Sequence, residues 1–553
     1  AIEKQPLILV ITPYYGGGNP ESAPYIVGNA LVIAEGGEPN FQPRDPSRTL
    51  AKYFLPRGYA VGLLSIPGTG NSGGCYKGGG PRERKALAEA IEALAKQPWS
   101  NGSVGSIGAS ADGSTSTEMY AEGTPALKAV VPEEALTDYY RYSFNNGIRR
   151  GINSADPTYY YALTGLNISG LEGGIGPVDP SGFIREVAGE VCTDEPIYQA
   201  WSVYSVITAD KTAYWHERDG IEVINADLSK PRPAIFFIEG FQDANVDSQN
   251  MDGWMEAVQK ANAPWHLWVG QWVHNYAQPP DLSPCEALAP CRGDFWQEAL
   301  LAWFDQFLKG KDTGILDAPP IQLQADDGVW RHEDQWPPAG VQELALHPSA
   351  DGALGAEAAA VGVTASYKDD LISYEGIVPS FPPIAGTALD FVSAPLEKPL
   401  RLTGLARLET VATADRPIAN LVATLMVRRP DGQQGYVNFA ALNLNHWASL
   451  DNGVLNITGQ TLPVNVKFFP QDNVIPAGSQ LGLHIAGAVP LEDIVEGDTS
   501  NMQNMGPNLM PISLGGNVVL DLSQTRLVLP VNPGDRVEPL PWLETQADPA
   551  PAS

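Results

Sequence analysis

Basic residues are what this 553-residue chain is short of: 34 Lys and Arg stand against 64 Asp and Glu, a formal charge of −30. A field of that sign repels phosphate backbones, and no basic run with interleaved aromatics offsets it, so no nucleic-acid partner is expected. Long hydrophobic runs are missing as well. No apolar stretch reaches the ~18 residues of a membrane-spanning helix, and the run Leu7–Ile11 reads as a strand, so no membrane partner is expected either. Cysteine is scarce, at four residues. Cys75, Cys192, Cys285 and Cys291 lack paired C-x-x-C spacing, and no H-E-x-x-H segment occurs, so neither a metal nor another cofactor is expected. The glycine clusters 16–18 and 78–80 lack the Lys-Ser/Thr and helix context of a phosphate loop and read as flexible turns.

Four cysteines allow three connectivities, of which the short Cys285–Cys291 loop is the most obvious local bridge. Two disulfides imply an oxidising compartment, and the chain starts without a basic n-region or apolar h-region. The expected location is therefore secreted or periplasmic, with any signal peptide removed. The acidity then serves solubility outside the cell. Nothing in the sequence indicates an oligomeric state.

With 43% hydrophobic and 18% charged residues, the chain builds large cores. Its length exceeds what one core organises, so two or three domains are expected. Residues 1–138 alternate short apolar runs (Leu7–Ile11, Tyr59–Ile66, Val104–Ile107, Ala126–Val131) with helical patterns such as Pro81–Lys96, where Leu87, Ile91 and Leu94 share a face. That alternation predicts a parallel α/β sheet. Between 139 and 230, Tyr pairs and Gly-rich turns replace clean strands, which predicts an inserted helical cap over the sheet's carboxyl edge. Strands return at Ala234–Ile238 and His266–Val269, followed by an amphipathic helix at Phe295–Leu308, so 231–340 completes the α/β domain. From 341 to 553, short strands separated by turns, such as Leu400–Leu408, Asn420–Val427 and Val518–Leu522, predict a β-sandwich or jelly roll. Its last residues, 546–553, read as a loose tail.

The stretch Val104-Gly105-Ser106-Ile107-Gly108-Ala109-Ser110-Ala111-Asp112-Gly113 is an apolar run that ends in a serine between glycines and leads into a plausible helix. A strand that turns sharply into a helix at an exposed hydroxyl is a nucleophile elbow. The strict G-x-S-x-G spacing is broken, because Asp112 stands where the second glycine belongs and Gly113 follows it. An α/β-hydrolase fold places its catalytic acid and histidine after later strands, in the order Ser, acid, His. Asp243 lies just beyond Ala234–Ile238 and His274 just beyond His266–Val269. Ser110 would then attack a carbonyl, His274 would take its proton, and Asp243 would hold the imidazole. Asp247 competes with Asp243 on position. Of the seven histidines, His266 falls inside a strand and reads as a core residue, while His274 has the expected position.

Further segments carry a family resemblance. Arg57-Gly58-Tyr59-Ala60-Val61, Pro67-Gly68-Thr69-Gly70-Asn71-Ser72-Gly73-Gly74, Gln97-Pro98-Trp99-Ser100-Asn101-Gly102 and the elbow resemble the cocaine-esterase and X-prolyl dipeptidyl aminopeptidase family. So do Trp303-Phe304-Asp305-Gln306-Phe307-Leu308-Lys309-Gly310, Trp330-Arg331 and Trp336-Pro337. The match spans nearly the whole chain. It implies an α/β-hydrolase with a C-terminal jelly roll, Ser110 as nucleophile, Asp243 as acid and His274 as base. It also implies an oxyanion hole formed by the Tyr14 hydroxyl and the Ala111 N–H. Two departures touch the pocket. Ala111 and Pro67 replace the Tyr and Arg common in relatives, and Asn245 and Val246 stand where relatives acting on α-amino acid esters place carboxylates. Glu133 and Glu134 are candidate replacements for that amine site, although two glutamates at a strand end usually face solvent.

The expected activity is that of a serine hydrolase cleaving an ester or amide of a small molecule or peptide. The alternative is release of Xaa-Pro dipeptides. A different class, a non-catalytic protein that binds a glycan or surface partner through the jelly roll, is disfavoured by the intact order Ser110, Asp243, His274.

Overall fold

The computed structural model describes residues 4–12, 25–27, 30–32, 50–51, 53–67, 72, 78–149, 209–243, 246–272, 293–369, 386–487 and 515–533. Tyr14, His274, the four cysteines, the tail and most of the expected cap lie outside them.

An eight-stranded sheet forms the first half. Its strands are β1 (Gln5–Thr12), β2 (Ala60–Ser65), β3 (Ser100–Ala109), β4 (Leu127–Glu133), β5 (Ala234–Gly240), β6 (Trp265–Gly270), β7 (Ile321–Gln324) and β8 (Trp330–Glu333). They lie in the order β8-β7-β6-β5-β4-β3-β1-β2. Only the β7–β8 pair is antiparallel. Near-continuous apolar strands such as 7-LILVI-11 and 234-AIFFI-238 are the signature of a sheet covered on both faces. The structure has that cover. Leu7, Leu9 and Ile11 join α1 (Pro81–Ala95), α2 (Ala111–Glu122), α3 (Gly220–Ala226) and α4 (Trp254–Lys260) in one core. Ile8 and Val10 pack into another with Trp303 and Phe304 of α5 (Gly293–Lys309). The expected strands and helices thus recur within a few residues, with β4 continuing through Pro132 to pair Glu133 with Ala109.

The second half is an antiparallel β domain. Its strands are β9 (Gln342–Pro348), β10 (Ala353–Gly355), β11 (Thr364–Asp369), β12 (Ala388–Ser393), β13 (Leu400–Ala414), β14 (Asn420–Arg428), β15 (Gln434–Asn443), β16 (Leu462–Ile475), β17 (Gln480–Ala486), β18 (Gly516–Asp521) and β19 (Arg526–Val531). They follow one another as β11-β18-β13-β19-β9-β10-β12-β17-β14-β15, and β16 pairs with β13. All these pairs are antiparallel except β10–β12. The period-two burial of β13 and β16 puts Leu402, Leu408, Val464 and Val466 into a single core that also holds Leu421 and Leu483.

Candidate active site

Ser110 stands between β3 and α2 with φ 60° and ψ −123°, outside the regions a side chain ordinarily tolerates. The sharp turn follows from how closely α2 packs on the sheet. A Cβ on Gly108 would fall 2.5 Å from the Asp112 carbonyl, and one on Gly113 would fall 2.5 Å from the Glu133 carbonyl and 2.9 Å from that of Gly108. The displaced glycine therefore serves the contact between helix and strand. Asp112 is buried as well, and its Cβ faces Gly108, whose lack of a side chain leaves it room.

The turn is pinned by its neighbours. The Ser110 N–H donates to the Glu133 carbonyl at 3.0 Å, and its own carbonyl accepts from the Ser114 N–H and hydroxyl, both at 2.8 Å. Along α2, Thr115 donates to the Ile11 carbonyl at 2.7 Å and Thr117 to that of Leu136 at 2.6 Å. Residues Ala111 to Ala121 are all buried, whereas Ser110 itself is half-buried. Ala111, as the first residue of the helix, presents one of the N–H groups that no helical carbonyl receives.

Asp243 lies three residues beyond β5 and is buried, with its carboxylate accepting from the Val246 N–H at 2.9 Å. Asp247, its rival on position, caps the short helical turn Ser248–Met251 by accepting from the Gln249 N–H at 3.1 Å. His266 is buried in β6 between Phe236 and Trp303, and loss of hydration pushes its pKa down to about 4. It is a neutral core histidine, as its strand position predicts.

Glu133 and Glu134 correct the expectation of solvated side chains: both are buried, Glu134 completely. Glu134 also takes a left-handed φ of 44°, and its N–H donates to the Ile238 carbonyl at 2.8 Å, which folds the end of β4 against β5. Glu239, near the end of β5, was not singled out by its sequence. It is fully buried, and burial together with the Asp243, Glu134 and Asp247 carboxylates pushes its carboxyl well above the usual range. Its Oε1 accepts from the Gly240 N–H at 3.1 Å. Only its place inside an apolar strand run could have flagged it. The carboxyl ends of β4 and β5 thus gather acidic groups beside the Ser110 turn. Among the described residues, no group of His, Cys, Asp and Glu is arranged to hold a metal ion, and no helix is long and apolar enough to cross a membrane.

Comparison with known proteins agrees with this architecture. Residues 2–276 match the model of the X-Pro dipeptidyl-peptidase (S15 family), and residues 313–497 match that of the X-Pro dipeptidyl-peptidase C-terminal non-catalytic domain. A Streptomyces avermitilis protein named "Putative Xaa-Pro dipeptidyl-peptidase" is 26% identical over 549 residues, covering 88% of this chain and 74% of its own length. Two solved structures share the fold. An α-amino acid ester hydrolase superposes with a TM-score of 0.70 at 19% identity, covering 96% of this chain and 93% of its own. A CocE/NonD family hydrolase from Staphylococcus aureus does so with a TM-score of 0.69 at 16% identity, covering 96% and 89%.

Proposed function

We propose a mechanism from one premise: the chain belongs to the S15 X-Pro dipeptidyl-peptidase family of serine hydrolases and carries that family's C-terminal domain. In this reading Ser110 attacks the carbonyl of an ester or amide, His274 takes the serine proton and returns it to the leaving group, and water then releases the acyl-enzyme. Asp243 holds the imidazole and stabilises its charged form. The Ala111 N–H and the Tyr14 hydroxyl receive the oxyanion. The observation that carries the proposal is the strained backbone of Ser110 at the end of β3, a half-buried serine at the head of a helix buried from Ala111 to Ala121. Strain of this kind costs on the order of 1–3 kcal/mol and persists where the surrounding packing over-determines it.

For the acid, the capping role of Asp247 favours Asp243. The preferred substrates are small acyl esters or amides. A second reading, cleavage of peptides with a free N-terminal amine, is favoured by the buried acidic end of β4 and β5, where Glu133 and Glu134 are the candidate amine contacts.

Parallel turnover of p-nitrophenyl acyl esters and an Xaa-Pro-p-nitroanilide separates the readings. Ester turnover alone supports the first, and anilide turnover the second. Ser110→Ala should abolish both turnover and fluorophosphonate labelling; labelling at another serine would sink the assignment. Asp243→Asn should retain the fold and cost about 10⁴ in kcat, and Asp247→Asn far less. The reverse ranking would move the acid to Asp247.

A further inference from the structure

We infer that Gln271 is a positioning residue through which the C-terminal domain fixes the loop carrying Asp243, an inference that rests on the catalytic assignment above. The contact between the two halves lies at the edge of β16, which pairs with β13. Against β13, residues Pro470, Asp472 and Val474 stand opposite Leu405, Thr403 and Arg401. In an antiparallel ladder, every second residue turns its N–H and C=O away from the partner strand. Main-chain groups at such an edge need other partners when they are buried.

Here the partners come from the catalytic half of the chain. The Ser248 hydroxyl donates to the Pro470 carbonyl at 3.0 Å, Gln271 Nε2 donates to the Asp472 carbonyl at 3.2 Å, and the Val474 N–H donates to the Asp326 carboxylate at 2.6 Å. Ser248, Gln271 and Asp326 follow β5, β6 and β7. One strand of the C-terminal domain is therefore gripped, at two-residue intervals, by loops from the carboxyl ends of three neighbouring strands of the sheet.

Gln271 joins this grip to the acid loop. It is buried, and its Oε1 accepts from Gln242 Nε2 at 3.2 Å, one residue before Asp243. Its Nε2 also donates to the Gln324 carbonyl at 3.0 Å, and its N–H donates to Gln324 Oε1 at 3.3 Å. The two main chains run close beside it. The Phe241 N–H donates to the Gly270 carbonyl at 2.8 Å and the Gln242 N–H to that of Trp272 at 3.3 Å, while a Cβ on Gly240 would overlap the Trp272 carbonyl. With every polar atom of its amide in use, Gln271 has one seating, and that seating sets where Gln242 and then Asp243 can lie. The Asp472 end is equally rigid, because Arg401 holds that carboxylate through two bonds of 2.9 and 2.8 Å.

The test is Gln271→Met, which keeps length and burial but removes donor and acceptor together. Steady-state kinetics with p-nitrophenyl acetate, per folded molecule and well below the melting temperature, should show kcat lower by about tenfold to a hundredfold with KM nearly unchanged. Gln242→Met breaks the same bond from the other side without touching the domain contact. It should lower kcat in the same sense, and the double variant should be no worse than Gln271→Met alone. Unchanged kcat with a lowered melting temperature, or additive losses, would overturn the inference. Should Gln271→Met fail to fold, Gln242→Met decides alone: normal kcat refutes the link. Ser110→Ala and Asp243→Asn are run beside them. If either keeps full turnover, the catalytic assignment falls; if both lose it while Gln271→Met does not, only the positioning role falls.

Discussion

At residue scale, strain and buried charge concentrate on one short helix. Ser110 opens α2 in a strained positive-φ conformation, and Glu118, two turns on, is buried between the Tyr139 hydroxyl, which donates to it, and the charges of Arg84 and Arg218. Loss of hydration outweighs these partners and raises its pKa from 4.5 to about 7. Between those two values the folded state keeps a proton that the unfolded state has released. Stability contributed at this site therefore falls as pH rises through that window and levels off above it. Glu118→Gln keeps an acceptor for Tyr139 and never ionises. Its stability relative to the parent, measured by denaturant melts from pH 4.5 to 8, should climb by up to about 3 kcal/mol. A difference that stays flat with pH would mean that the two arginines hold the carboxylate ionised throughout.

At the scale of elements, the contact between α2 and the sheet explains what could be read from the sequence. The elbow was legible because close packing forbids side chains and so writes glycine at 108 and 113. The displaced second glycine follows from its contact with the Glu133 carbonyl. Strands β5 and β6 were legible from their apolar runs, which placed Asp243 in a loop beyond one of them. The burial of α2 was not legible, since Asp112 to Glu118 is almost wholly polar. The hydroxyls of Thr115 and Thr117 are satisfied by carbonyls far along the chain, those of Ile11 and Leu136. Glu133, Glu134 and Gln271 were misread or missed for the same reason: their surroundings come from distant segments, and main-chain carbonyls leave no pattern in sequence. Gly108→Ala should force α2 away from β3, costing about 1–3 kcal/mol. Turnover should fall further than stability, because the shift acts directly on Ser110. Gly355→Ala, where a Cβ meets nothing within 4 Å, is the control expected to change neither. Equal behaviour of the two variants in melts and kinetics would refute the packing account.

For the whole molecule, the question is whether the two halves unfold together. Their junction is polar and partly buried. Arg401 of β13 pairs with Asp472 of β16 inside the C-terminal domain and also reaches Glu333 of β8 across the junction at 3.5 Å. All three side chains are buried. Other ties run alongside: the Lys211 N–H donates to the Leu450 carbonyl at 2.7 Å, the Gly453 N–H donates to the Asp210 carboxylate at 2.8 Å, and Lys467 pairs with Asp252 at 3.2 Å. A buried ion pair adds little net stability when intact, yet removing one partner strands the other charge in a poorly hydrated place. Arg401→Met takes a buried cation away from two carboxylates, one in each half, so it should cost about 3–5 kcal/mol. For a chain of this length that lowers the melting temperature by roughly 3–4 °C. Because Asp472 also accepts from Gln271, the loss should reach the catalytic half. Calorimetry should show one transition moving down, and the temperature at which fluorophosphonate labelling of Ser110 is lost should move with it. An early transition that leaves labelling untouched would mean that the C-terminal domain melts alone and that the junction transmits no stability.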